Sequence, residues 1–131
     1  MKPWWRRWFG TRSERAAEAS LRKAGMRVLA RNVSLGGGEL DLVALDGRTV
    51  VFVEVRSTED ADLTRPSESV DARKEEKVGA AALAWLKAKN LLGHDARFDV
   101  VLVSWPKGER EPVIEHVRQA FEAAGRWQMW S

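Results

Sequence analysis

Four charged side chains fall at alternating positions on two neighbouring segments of this 131-residue chain. Glu39 and Asp41 lie in one segment, and Glu54 and Arg56 lie in the next. Alternation by two places such side chains on one face of a β-strand. Carboxylate oxygens are the ligands that Mg²⁺ and Mn²⁺ prefer, whereas an arginine pairs with a carboxylate or a phosphate. The pattern therefore indicates either a metal site or a solvated polar face with incidental charges.

An Asp46-Gly47 dipeptide separates the two segments and predicts a tight β-hairpin. A two-residue loop at this dipeptide places Glu39 directly opposite Glu54, with Asp41 beside them. Like charges directly opposite each other destabilise a sheet, so the cluster costs stability unless a cation compensates, either Arg56 or a divalent metal. The same register predicts Asp41 opposite Phe52, Val43 opposite Val50, and an apolar opposite face of Leu40, Leu42, Val51, Val53 and Val55.

Two amphipathic segments bring further candidates to the sheet. Apolar spacing predicts a first helix over residues 11–24, with Glu14 on its apolar stripe and directed toward the sheet. Glu14 also completes a capping box with Thr11, which is a purely structural explanation of its position. A second helix is predicted over residues 70–89. Lys74 begins its apolar stripe, either facing the site or snorkelling at the sheet margin.

The order of segments predicts an α/β fold. A strand, a helix and a strand follow one another across residues 48–104, which implies a parallel pair. We therefore predict one domain with αβββαβ order and a mixed sheet flanked by helices, over residues 11–125, with a basic arm at 1–10 and a tail at 126–131. The predicted strands cover residues 26–33, 39–45, 48–56 and 98–104, followed by a short edge strand at 112–115 and a last helix over 117–125.

The N-terminal region is basic and rich in tryptophan. Residues 1–35 hold nine lysines and arginines against two glutamates, a net charge of +7, whereas the whole chain has a net charge of +3. Such a segment can bind phosphates and stack on bases, although a membrane interface or a solvated tail also suits it. The tryptophans are Trp4, Trp5 and Trp8, and the predicted nucleic-acid contacts are Arg6, Arg7, Arg12 and Lys74.

Composition excludes several other kinds of site. The chain has no cysteine, which excludes disulfides, thiolate zinc sites and cysteine nucleophiles. Because it has only two histidines, Asp and Glu are the expected metal ligands. No apolar run reaches about 18 residues, so we expect no transmembrane segment. The N-terminus also lacks the apolar stretch of a signal peptide, so we expect a cytoplasmic protein.

In order and spacing, these motifs resemble the bacterial YraN family, which is similar to archaeal Holliday-junction resolvases and so to the PD-(D/E)XK nuclease superfamily. The resemblance spans roughly residues 10–122 and implies the αβββαβ fold. It also implies a twofold dimer, because junction resolvases act on two symmetric strands. The matching residues are Glu14 with Ala17, Leu21 and Gly25, Arg31-Asn32, the runs 38–42, 51–55 and 97–101, and Val70 with Lys74.

The resemblance also implies roles for the candidate residues. Glu14, Asp41 and Glu54 would bind Mg²⁺ or Mn²⁺, and Lys74 would face the scissile phosphate. Glu39 belongs to the same motif as Asp41 and would contact the ligands rather than the metal. The superfamily pattern has a lysine where this chain has an arginine at position 56. Arginine stays protonated and cannot act as a base, although it can stabilise negative charge on a phosphate.

Three functions follow from these residues. The first is a metal-dependent endonuclease that cleaves branched or otherwise structured DNA. The second is a nucleic-acid-binding protein of nuclease fold with feeble or no catalysis, which Arg56 favours. The third is a partner-binding module with tryptophan-rich ends, where Trp127 and Trp130 add apolar surface.

Overall fold

Two helices and five strands occupy the part of the chain that the structure describes. This computed structural model gives the backbone of residues 4–58 and 72–121 and the side chains of residues 12–57 and 75–120. The first six elements confirm the predicted αβββαβ order of a single α/β domain. The elements are α1 (Trp4–Lys23), β1 (Arg27–Leu35), β2 (Gly38–Asp46), β3 (Thr49–Thr58), α2 (Ala72–Ala88), β4 (Ala96–Ser104) and β5 (Val113–Phe121).

The five strands form one mixed sheet in the order β1-β2-β3-β4-β5. Strands β3 and β4 are parallel, as predicted, and the other three neighbouring pairs are antiparallel. Because β3 and β4 run in the same direction, their carboxyl ends lie side by side, with Ser57 opposite Val103. The predicted site residues of β3 therefore lie toward one end of the sheet.

Each face of the sheet carries an apolar core. On the α2 side, the ring of Phe52 lies 5.8 Å from that of Trp85 in an edge-to-face arrangement and 5.6 Å from that of Phe98. On the α1 side, Ala17 and Leu21 are fully buried, as the apolar stripe of that helix predicts. The α1-side core contains Ala17, Leu21, Met26, Leu42, Ala44, Val51, Val53, Val101, Val103 and Trp105.

The β2–β3 hairpin forms, but its predicted register is wrong by two residues. Val43 pairs with Phe52 rather than with Val50, and the turn consists of Gly47 and Arg48 rather than Asp46 and Gly47. Gly47 has a φ of 61°, a conformation that glycine adopts without a steric penalty. A shift of two residues preserves the alternation of faces, so Phe52 still faces α2 while Val51 and Val53 face α1.

Strict alternation fails on β1 and β2 at the level of Asp41. Leu40 packs in the α2-side core although Leu42 packs in the α1-side core, so the prediction that they share a face is wrong. The neighbouring strand changes face at the same level, where Asn32 has a φ of 50°. Asparagine is one of the few residues that adopt this left-handed conformation readily. The switch brings Asp41 to the boundary between the two faces.

The predicted last helix is absent from the described residues up to Phe121. Val117 instead pairs with Val100 in β5, which extends well beyond the short edge strand predicted at 112–115. The helical spacing there rests on few apolar positions, and pairing with the buried strand β4 overrides it. The predicted end of that helix, Gly125, lies outside the described residues.

Helix α1 begins at Trp4 rather than at Thr11. Thr11 is therefore inside the helix and is not its N-cap residue, as the predicted capping box would require. The basic segment before residue 11 continues the helix instead of preceding it. Among the described residues, no helix is long and apolar enough to cross a membrane.

Candidate functional site

Asp41 contacts the strand that carries Glu54. The backbone N–H of Val55 donates a hydrogen bond of 2.8 Å to Asp41 Oδ2. This amide belongs to the peptide bond that follows Glu54, and Leu42–Val53 is the last regular pair before it. The Asp41 side chain therefore takes up a backbone donor where the β2–β3 ladder ends. The change of face at Leu40 and Leu42 explains how Asp41 reaches that position.

Glu54 and Arg56 form a buried ion pair on β3. Arg56 Nη2 lies 3.1 Å from Glu54 Oε1, and the two residues are 7% and 6% exposed. They lie two residues apart, so they project from the same face of the strand, as predicted. Arg56 therefore acts as a counter-ion of Glu54 in this structure. We call Asp41, Glu54 and Arg56 the Glu54 cluster.

Glu14 lies on α1 beside a hydrogen-bonded contact with the carboxyl end of β3. Its neighbour Ser13 is fully buried and donates a hydrogen bond of 2.8 Å to Ser57 Oγ, one residue beyond Arg56. Glu14 itself is half-buried, whereas Glu39 is exposed. Within the described side chains, no three His, Asp or Glu groups lie close enough together to hold a metal ion.

Several predicted site residues have side chains outside the described part of the chain. Lys74 belongs to the first turn of α2, but its side chain is not among those described. The same holds for Arg6 and Arg7 in the first turns of α1. Trp127 and Trp130 lie outside the described residues altogether. The roles of these residues remain predictions.

Part of the positive charge near the N-terminus is neutralised locally. Glu18 binds Arg31 through two hydrogen bonds of 2.5 and 2.7 Å and lies 2.8 Å from Arg22. The hydrogen bond from Arg31 lowers the pKa of Glu18 below its usual value, against a smaller opposing effect of burial. Arg12 differs, because its guanidinium lies 3.5 Å from the centre of the Trp105 ring. Arg22 and Arg31 are thus paired with a carboxylate, whereas Arg12 is held by an aromatic ring, so these arginines are not equivalent as candidate phosphate contacts.

A second charged cluster, which the sequence interpretation missed, joins β2, β4 and β5. Asp99 is fully buried and accepts hydrogen bonds from Arg97 Nε at 3.0 Å, His116 Nε2 at 2.7 Å and the Gln119 backbone at 3.0 Å. Arg97 also donates to Asp46 at 2.9 Å. We call these five residues the Asp99 cluster. The available signal was the charged pair Arg97 and Asp99 in an otherwise apolar strand.

The surroundings of Asp99 keep it ionised. Burial raises the pKa of its carboxyl, but hydrogen bonds from His116, Arg97 and the Gln119 backbone lower it more, so the net pKa falls below the usual value. An ionised carboxylate only accepts hydrogen bonds, so His116 donates through Nε2.

Glycines of the β1–β2 turn bring the start of β2 against α2. A Cβ atom added to Gly38 would lie 2.2 Å from the backbone oxygen of Lys77, closer than any normal contact. One added to Gly36 would lie 3.0 Å from the backbone oxygen of Ala80. The absence of a side chain at position 38 therefore sets how closely α2 packs on the strand that carries Asp41.

Comparisons with known proteins show that the candidate site residues lie in a region of sequence that this chain shares with a protein family. The sequence model of the uncharacterised protein family UPF0102 matches residues 13–103, which include Glu14, Asp41, Glu54, Arg56 and Lys74. A UPF0102 protein of Rhodopirellula baltica is 44% identical over 119 residues, covering 88% of this chain and 71% of that relative. One of Geobacter sulfurreducens is 42% identical over 115 residues, covering 88% and 89%. One of Moorella thermoacetica is 40% identical over 116 residues, covering 88% and 97%.

Proposed function

The chain belongs to the protein family UPF0102, which is the YraN family that its motifs resemble, and we propose that it is a metal-dependent endonuclease acting on branched or otherwise structured DNA. The observation that carries the proposal is the hydrogen bond between Asp41 and the amide that follows Glu54. It places the Asp41 carboxylate beside the peptide bond that follows Glu54, toward the carboxyl end of a parallel strand pair. In α/β proteins, ligands bind outside such strand ends.

The candidate ligands are of the type that a hard divalent cation prefers. Asp41 and Glu54 supply carboxylate oxygens, which suit Mg²⁺ and Mn²⁺, and Glu14 is the third candidate ligand. These three, all among the described side chains, are not grouped closely enough to hold a metal ion in this structure, so Glu14 would have to approach the other two when a cation binds. When bound, such a cation would lower the pKa of a coordinated water and stabilise charge on the phosphate. Asp41 Oδ2 accepts a hydrogen bond from the Val55 amide, and Glu54 Oε1 lies 3.1 Å from Arg56 Nη2. These contacts orient the two carboxylates before any cation binds.

The basic residues have separate tasks in this proposal. Arg56 stays protonated, so it neutralises negative charge at Glu54 or on a phosphate and does not remove a proton from water. Lys74, in the first turn of α2, is the candidate for the scissile phosphate. A lysine can bind phosphate as a point charge and can also shift its pKa when buried. Arg6, Arg7 and Arg12 would hold the backbone of the nucleic acid.

The buried ion pair favours a second candidate function. Arg56 lies 3.1 Å from one oxygen of Glu54 in a setting where both residues are buried. A guanidinium in this place competes electrostatically with a divalent cation for the same carboxylate. The alternative is therefore a nucleic-acid-binding protein of nuclease fold with weak or no catalysis.

Cleavage assays distinguish the two functions. The wild type and Asp41→Asn are incubated with duplex, flap and four-way-junction DNA in the presence of Mn²⁺. The endonuclease proposal expects cleavage of structured DNA by the wild type and loss of cleavage in Asp41→Asn. Asparagine retains an oxygen for the Val55 amide but removes the charge that would bind the cation.

Substitutions of Arg56 test the ion pair directly. If Arg56 positions phosphate, Arg56→Lys keeps DNA binding and raises cleavage, because a lysine can assist the attacking water. If Arg56 is only a counter-ion of Glu54, Arg56→Lys is nearly silent and Arg56→Ala lowers the melting temperature. If neither the wild type nor Arg56→Lys cleaves DNA although both bind it, the endonuclease proposal is rejected and the nucleic-acid-binding function is retained.

A further inference from the structure

A stacked arginine lies at the same end of the sheet as the Glu54 cluster. Trp105 directly follows β4, and the Arg12 guanidinium carbon lies 3.5 Å from the centre of its ring. This distance is well within the range in which a cation is attracted by an aromatic face. Arg12 is exposed, whereas Trp105 is only 8% exposed. One residue therefore faces solvent, and the other is built into the domain.

The tryptophan beneath Arg12 is held in place by a chain of hydrogen bonds. Trp105 Nε1–H donates to Ser13 Oγ at 2.8 Å, and Ser13 Oγ–H donates to Ser57 Oγ at 2.8 Å. Ser13 is fully buried, and Trp105 also packs in the α1-side core. These contacts join α1 to the carboxyl ends of β3 and β4. The Trp105 ring is therefore a fixed platform rather than a mobile surface side chain.

The chemistry of the stack determines what it can bind. The guanidinium is planar, so contact through its face leaves its N–H groups directed outward in its own plane. Those N–H groups match the oxygens of a phosphate and can bind two of them at once. A guanidinium that is already held by a ring loses less conformational entropy on binding than a mobile one. The Trp105 ring, covered by Arg12 and the core, has little surface left for a nucleobase.

We propose that Arg12, positioned by Trp105, binds a backbone phosphodiester of the nucleic acid at the carboxyl ends of β3 and β4. This proposal rests on the proposed function and adds a specific site to it. Ser13 precedes Glu14 in α1, and Ser57 follows Arg56 in β3. The chain of hydrogen bonds from Trp105 through Ser13 to Ser57 therefore connects the Trp105 ring to the helix and the strand that carry these candidate residues. Trp105 is a positioning residue, because it acts through Arg12. Arg12 thereby differs from Arg22 and Arg31, which Glu18 neutralises.

The test measures binding without cleavage, using fluorescent duplex and four-way-junction DNA in EDTA at several salt concentrations. Arg12→Gln removes one positive charge and is expected to weaken binding to both DNAs. It should also reduce the slope of log affinity against log salt by about 1, the change expected for one lost phosphate contact. Arg31→Gln is the matched control. It removes the same charge from a guanidinium already held by Glu18, so it should leave the slope nearly unchanged.

Trp105 variants separate positioning from charge. Trp105→Leu keeps every charge but removes the platform, so it should lower the slope as Arg12→Gln does, and the double variant should lower it no further. Trp105→Phe retains an aromatic face and should keep part of the effect, provided that its melting temperature shows it is folded. A slope in Arg12→Gln equal to that of the wild type would overturn this proposal and remove Arg12 from the nucleic-acid contacts, while leaving the metal-dependent cleavage proposed for Asp41 and Glu54 standing. If the wild type fails to bind either DNA, both proposals are overturned.

Discussion

The Glu54 cluster and the Asp99 cluster lie on one sheet but satisfy their carboxylates in different ways. Donors from β4 and β5 converge on the fully buried Asp99, and Arg97 extends the contacts to Asp46 on β2. The Glu54 cluster combines two carboxylates and one arginine. The first arrangement ties three strands together. The second joins β2 and β3, through one backbone donor and one buried ion pair. The same residue types thus serve stability in one place and, in our proposal, chemistry in the other.

The largest expected effect on stability comes from replacing an aspartate by asparagine, a change that is made separately in each of the two clusters. Asp99→Asn leaves buried donors without their ionised acceptor and should lower the free energy of unfolding by about 3–5 kcal/mol, the usual effect of breaking a buried ion pair. Asp41→Asn retains an acceptor for Val55 and relieves repulsion, so the expected change is within about 1 kcal/mol. Urea denaturation measures both. Equal losses in the two variants would mean that the clusters do not differ in this way.

The second prediction concerns the packing that holds β2 against α2. Gly38→Ala places a Cβ atom against the Lys77 backbone and should lower the free energy of unfolding by up to about 3 kcal/mol, as overpacking does. Gly37→Ala is the control, because its Cβ would meet no atom within 4 Å. Its φ of 82° adds only a strain of about 1 kcal/mol. Denaturation curves that coincide for the two variants would show that α2 can shift away from position 38 without loss of stability.

The third prediction asks whether a cation binds one cluster and not the other. At ten times its dissociation constant, Mn²⁺ should stabilise the wild type by about 1.4 kcal/mol through binding to the folded state. Asp41→Asn should lose this stabilisation. Asp46→Asn makes the same chemical change in the Asp99 cluster and should retain it. Thermal melts with and without Mn²⁺ measure the effect, and an equal shift in all three proteins would place the bound cation elsewhere.

The smallest expected effect is the pH dependence of the Asp99 cluster. The pKa of Asp99 is lowered in the folded protein, so its carboxylate stabilises the fold above the unfolded pKa of about 3.9. This contribution is lost as the pH falls through the folded pKa. The stability difference between the wild type and Asp99→Asn should therefore shrink below about pH 4. A difference that stays constant between pH 6 and pH 3 would contradict the lowered pKa.

A large part of the fold could be predicted from local patterns. Apolar spacing located both helices, and the alternation in β3 placed Glu54 and Arg56 on one face. The order of segments predicted the parallel pair of β3 and β4. These features depend on the periodic spacing of apolar residues, which can be recognised from a few neighbouring residues in the sequence. The candidate carboxylates were found in the same way.

The features that escaped prediction depend on contacts between distant residues. The register of the hairpin was decided by Gly47 in a left-handed conformation and by the pairing of Val43 with Phe52. The strand β5 formed because β4 offered it an edge, which outweighed weak helical spacing. Asn32 changed the faces of two strands, and no periodic pattern contains that switch.

The sequence by itself therefore determined the elements, their order and the residue types available for chemistry. Only the tertiary structure decided which of those residues meet. Arg12 and Trp105 are far apart in the chain, as are Asp46 and Arg97, yet each pair is in contact. Periodicity is a local property of the sequence. A contact between distant side chains depends instead on how the helices pack on the two faces of the sheet, which involves residues throughout the chain. For that reason the Glu54 cluster was recognised from its strand pattern, and the Asp99 cluster and the Arg12 stack were recognised only in the folded chain.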